Sequence, residues 1–211
     1  GSGSKVIVVG AHRDSPGRDL SGRVCVIPAA IDNGAGTVTV MEMARVFAAK
    51  CKEFLNQNDY KVIFILFDSE ELYLLGSEAY VASHSLSNVQ YYLNFDCPSG
   101  YREDVAILSW VTDNKLSSAT DDCSSRFALP MQKTFSNFCG YGCGDYVPFQ
   151  RNGIPFAFPI DRDRFGGVCA GGLGGAGGVL HSPADNMGVV DVDKLAWGPK
   201  YGTCLLRNII P

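Results

Sequence analysis

The octapeptide ILFDSEEL, Ile65 to Leu72, closes an apolar run at Phe67 and then sets Asp68, Glu70 and Glu71 within four positions. Carboxylates crowded at one spot repel unless a cation or a proton offsets them. Similar residues follow other apolar runs. KVIVVG (5–10) leads into AHRDS, with His12 and Asp14, and YYLNF (91–95) leads into Asp96. The loop AIDNGAG supplies Asp32 ahead of a long helical pattern, and LHSPADN supplies His181. Only three histidines occur in the chain, and two of them belong to this set. Imidazole nitrogens and carboxylate oxygens delivered from separate strand ends can converge on a divalent metal.

Each of these residues also has an ordinary role open to it. Asp68 or Ser69 can cap a helix, and acids are favoured in a first helical turn. Asp32 can cap the helix after it, and Asp96, ahead of Cys97-Pro98, can open a turn. His84 keeps its ordinary reading, a helix end where positive charge is favoured. What favours a common site is coincidence: His12, Asp32, Glu71, Asp96 and His181 fall on one edge of one sheet.

That sheet is legible as alternation. KVIVVG, KVIFILF (61–67), YYLNF, VAILSW (105–110) and PFAFPI (155–160) read as strands, the first three almost wholly apolar. Strands with both faces covered have that character. Helical patterns run from Thr37 to Lys52, Glu71 to Ser83 and Asp113 to Phe127. A last one runs from about Asp191 to Ile209, interrupted at Gly198-Pro199. The fold class is therefore α/β, a doubly wound and mostly parallel sheet with helices on both faces. In such sheets ligands bind beyond the carboxyl ends of the strands.

Totals narrow the function. With 211 residues, 46% hydrophobic, one domain spanning 5–211 is the simplest count, and GSGS at 1–4 reads as a cloning scar. A net charge of -4 with no basic block argues against nucleic acid or an anionic membrane surface as partner. No apolar run reaches the roughly 20 residues of a membrane span. Eight cysteines are many for a cytosolic enzyme, and the only close pair is Cys139 and Cys143 in CGYGC. With no second close pair and no histidine nearby, a disulfide is expected there, which favours an extracytoplasmic location. The glycine-rich stretch GGVCAGGLGGAGGVL (166–180) is expected to be a mobile loop beside His181.

The ordered set AHRDS, AIDNGAGT, FDSEELYLLGS, LNFD and HSPAD resembles the zinc aminopeptidases of the M28 family, from Val6 to about Asp193. CGYGCGDYVPFQRNGIP is similar to a segment of secreted bacterial leucine-type aminopeptidases, where a short disulfide loop borders the substrate site. The resemblance implies the zinc-exopeptidase, phosphorylase/hydrolase-like fold, here truncated at its N-terminal side, acting on peptide substrates. It implies two zinc ions: His12 and Asp96 on one, Glu71 and His181 on the other, Asp32 bridging. Glu70 would be the general base, Asp14 would orient His12, and Tyr141, held by Cys139–Cys143, would hydrogen-bond the developing oxyanion. Two departures stand out: GDY (144–146) where the family often has Ser-Asp-His, and Ile31 where an acid commonly precedes the bridging Asp. The rival readings are a one-zinc glutaminyl-cyclase-like acyltransferase, a carboxypeptidase using Arg151, Arg162 or Arg164, and a non-catalytic binding module on the same fold.

Overall fold

The apolar runs become strands where the pattern puts them. A computed structural model describes residues 1–19, 21–135, 144–164, 168 and 178–211 of the chain. Its strands are β1 (Lys5–His12), β2 (Tyr60–Phe67), β3 (Val89–Asn94), β4 (Asp104–Val111), β5 (Met131–Thr134) and β6 (Phe156–Asp163). They form a six-stranded sheet in the order β2-β1-β3-β6-β4-β5. Every neighbouring pair is parallel except β4 and β6, which run antiparallel. Along β1, Val6 and Val8 enter one core while Ile7, Val9 and Ala11 enter the other. The period of two buries both faces, so the run has no place for a polar residue.

The helices are α1 (Gly36–Lys50), α2 (Lys52–Gln57), α3 (Leu75–Ser83), α4 (Asn114–Phe127), α5 (Tyr146–Arg151), α6 (Val192–Leu195) and α7 (Trp197–Ile209). On one face of the sheet α1, α4 and α7 bury Met43, Phe47, Leu116, Tyr201 and Leu205. On the other, α3 and α5 supply Tyr80, Val81, Val147 and Phe149. Short α5 is anchored by aromatic stacking: Phe149 lies 4.0 Å from Tyr92 and Tyr146 lies 4.5 Å from Phe156, ring centroid to centroid.

Several sequence expectations need correction. The helix expected from Glu71 starts at Leu75, because Tyr73 and Leu74 take left-handed φ values of 68° and 63° that no α-helix accommodates. The pattern from Thr37 to Lys52 covers α1 only, and the chain turns at Cys51 into the separate α2. The late helix breaks at Ala196, and Gly198-Pro199 sits inside the first turn of α7. Proline is tolerated there because first-turn N–H groups have no partner within the helix. Asp113 and Asp191 cap α4 and α6 with their side chains. His84 ends α3 and stacks on Tyr80, in keeping with its ordinary reading.

The expected Cys139–Cys143 bridge and Tyr141 lie outside the described residues, as does most of the glycine-rich loop, 169–177. The structure has a disulfide elsewhere. Cys123 of α4 is joined to Cys204 of α7 across 81 residues. A loop of that length restrains the unfolded chain strongly, and native bridges typically carry about 2–5 kcal/mol. The Cys123→Ser/Cys204→Ser protein should lose an amount in that range in urea unfolding. An unchanged midpoint would show that the bridge restrains nothing.

Candidate metal centre

Four loops bring the acidic and imidazole side chains together at the carboxyl ends of β1, β2 and β3. His12 is the last residue of β1 and is only 1% exposed. Its Nε2 lies 3.2 Å from Asp32 Oδ1, 3.4 Å from Asp96 Oδ1 and 4.0 Å from Glu70 Oε2. On the other side of the ring, Nδ1 lies 3.4 Å from Asp14 Oδ1. His181 Nε2 is 3.2 Å from both Asp32 Oδ2 and Glu71 Oε2. The two oxygens of Asp32 therefore face different histidines.

The backbone around these groups is held by side chains with no ligand role. Asp32 lies in an irregular turn, Ala30–Ala35, and does not cap α1. Asn33 fixes that turn to the end of β3, donating from Nδ2 to the Phe95 carbonyl at 2.9 Å and accepting from the N–H groups of Gly36 and Cys97. At Gly36 a Cβ would meet the Phe95 oxygen at 2.1 Å, so only glycine allows the approach. Asp185, from the HSPAD segment, accepts hydrogen bonds from the backbone N–H groups of Ile31 and Asp32 at 2.7 and 3.0 Å. Asp14 does the same for Glu70 and Glu71, at 3.1 and 3.2 Å, besides facing His12. Asp68, the first acid of the run, turns outward to Arg13 at 2.7 Å.

Electrostatically the cluster is short of positive charge. Burial and then the Asp96 charge push Glu70 up to about 9, and burial also raises Glu71. Burial opposes a charge on His12, but Asp96, with the carboxyls of Asp14 and Asp32, outweighs it and raises the imidazole well above its usual range. Asp32 and Glu71 raise His181 to about 10. For Asp32, burial is overcome by the His12 and His181 imidazoles beside it, which hold it well below the usual carboxylate range. Protons on two imidazoles thus supply charge that the acids demand. A divalent cation would supply it through the same lone pairs.

The donor atoms fit such a cation. One atom each from His12, Asp32 and Asp96 lie within 4.8 Å of one another, and so do atoms from Asp32, Glu71 and His181. His12, Glu70 and Glu71 make a third such group. Neither ring nitrogen of His12 makes a well-formed hydrogen bond, nor does Glu71 Oε1, and all three atoms are buried. Buried polar atoms are seldom left so without a ligand to serve. The sequence reading missed the holding roles of Asn33 and Asp185. Both lie inside the quoted motifs, but nothing in their spacing says which backbone they hold.

The chain is similar to known peptidases in sequence and in fold. Residues 1–196 match the model of peptidase family M28. A probable leucine aminopeptidase of Arthroderma otae is 29% identical over 199 residues, covering 92% of this chain and 51% of that protein. The Legionella pneumophila LapA aminopeptidase superposes with a TM-score of 0.76 at 25% identity, over 98% of this chain and 51% of its own. BSAP, a zinc aminopeptidase from Bacillus subtilis, shares the fold with a TM-score of 0.75 at 24% identity, over 96% and 45%. The chain spans about half the length of the curated relatives it matches.

Proposed function

Because this chain belongs to peptidase family M28, we propose that it is a metal-dependent aminopeptidase that removes N-terminal residues from peptides, using two zinc ions. In this reading His12 and Asp96 hold one ion, Glu71 and His181 hold the other, and Asp32 bridges them. The observation that carries it is the position of Asp32, with each carboxylate oxygen 3.2 Å from a different histidine. Bound zinc ions would polarise the scissile carbonyl and make a neighbouring water more acidic.

The chain's own groups do the rest. Glu70 is free of a ligand role in this scheme and takes the proton of the attacking water, then returns it to the leaving amine. Burial and the Asp96 charge raise its carboxyl to about 9, and positive charge placed beside it acts in the opposite direction. Asp14 orients the His12 ring through Nδ1, which leaves Nε2 directed at the ligand position. The carboxylates around the site suit the free ammonium of an N-terminal residue. A carboxypeptidase would need a cation for the terminal carboxylate, and the candidates are engaged elsewhere: Arg151 with Glu78, Arg164 with Glu103 and Arg162 with Gln132. The Cys123–Cys204 bridge supports an oxidising, extracytoplasmic setting.

Elemental analysis of the purified chain, run beside leucyl-anilide hydrolysis, tests the proposal. Two zinc ions per chain are expected, with activity lost on chelation and regained on adding zinc. One ion per chain, or hydrolysis that survives chelation, would count against it.

A further inference from the structure

Asp145 is a buried carboxylate that the scheme above does not use. It is 1% exposed, and its Oδ1 has no hydrogen-bond partner among the described residues. The ordinary explanation for an acid at this place fails, because Asp145 precedes α5 without its side chain capping that helix. Nor is it there by loose packing, since the stacked rings of Tyr146 and Phe149 fix the helix that carries it. Before it, Gly144 adopts a φ of 117° and passes so close to β3 that a Cβ would lie 3.1 Å from Asn94 Nδ2. Asn94 is two residues from the ligand candidate Asp96, and its Nδ2 is likewise buried without a partner.

We infer that Asp145 is a positioning residue of the metal centre, a carboxylate kept dry, with one oxygen unpartnered among the described residues, so that its negative charge draws divalent cations to the neighbouring ligands. This rests on the metal-centre reading given above. The charge is within electrostatic reach of the site: it acts on Glu70, and Asp145 in turn responds to His12, Asp96 and Asp14. Burial raises its carboxyl to about 7, with Ser77 providing partial relief. The sign of the stability effect follows. A carboxyl raised above its unfolded value of 3.8 costs stability when ionised, and the cost is complete above about 7. A buried charge that weakens the fold on its own yet acts on the residues of a cation site is placed for the cation. Groups that support metal ligands in this way typically carry about 10–100-fold in metal affinity.

Asp145→Asn keeps the shape and removes the charge. Zinc affinity, measured by chelator competition, should fall tenfold or more, while the melting temperature of the metal-free protein stays level or rises. A residue with a merely structural role would lower both. Asp104→Asn serves as control, because that acid is equally buried, also has an Oδ1 unpartnered among the described residues and is also raised to about 7, but the charge acting on it is that of Lys194 rather than of the metal-ligand candidates. It should leave zinc affinity as in the native chain. The inference is overturned if Asp145→Asn binds zinc within about twofold of native, if its metal-free melting temperature falls in step, or if Asp104→Asn loses as much affinity. Failure of the native chain to bind zinc would instead overturn the metal-centre reading.

Discussion

Glu70→Gln should keep both cations and the native fold while losing about 10²–10⁴-fold in kcat, the share that general-base catalysis usually supplies. Glutamine nearly matches glutamate in shape but accepts no proton at neutral pH. Glu70 Oε2 sits 4.0 Å from His12 Nε2, farther than the Asp32 and Asp96 oxygens, as suits an acid beside the ligands rather than among them. With substrate binding to an intact centre, KM should change little. Metal content and steady-state kinetics, measured on one preparation, check this. A variant that keeps most of its activity, or loses zinc, would reassign Glu70. That second outcome has a structural basis, since Glu70 also shares a possible ligand group with His12 and Glu71.

Asp32→Ala should be more severe, removing both cations and with them all activity above background. Asp32 is common to the two ligand groups built on His12 and on His181, whereas Asp96 and Glu71 each belong to one of those two. Glu71→Gln should therefore leave one zinc bound where Asp32→Ala leaves none. Elemental analysis with circular dichroism distinguishes loss of metal from loss of fold. Equal zinc content in the two variants would mean that Asp32 is an ordinary ligand to one ion. Asp32 also lies 3.2 Å from both imidazoles and offsets their charge, so some loss of stability should accompany the change.

How far the sequence foretold this depends on the range of the interaction that decides each feature. An apolar run followed at once by His, Asp or Glu is a local pattern, and it pointed to β1, β2, β3 and the candidates His12, Glu71 and Asp96, whereas Asp32 and His181 were proposed from the motifs AIDNGAG and LHSPADN. Element ends set by contacts elsewhere were not legible. Met131–Thr134 is a short edge strand with two exposed residues, and its letters carry no alternation that marks it. That β4 runs antiparallel depends on its pairing with β6, some 50 positions on, from Ile107↔Asp161 to Val111↔Ala157. Helix α5 is six residues anchored by aromatic stacking, too short for a helical period to show. The Cys123–Cys204 pair joins helices whose neighbourhood no spacing rule encodes. Asp145 stood in view as part of GDY, but its dryness is a property of the packed core alone.

The hydrogen bonds from Ile31 and Asp32 to Asp185 have a consequence for how the molecule is made. They join residues 154 and 153 positions apart, so the loop that presents Asp32 can be held early by Asn33 at Phe95 and Cys97 but gains its Asp185 anchor only once the HSPAD segment has emerged from the ribosome. Chains grow at about 5–20 residues per second, and the early strands can pair well before that. A nascent or prematurely ended chain would therefore carry the sheet without a competent centre. On the proposed function, cleavage would have to await synthesis past His181.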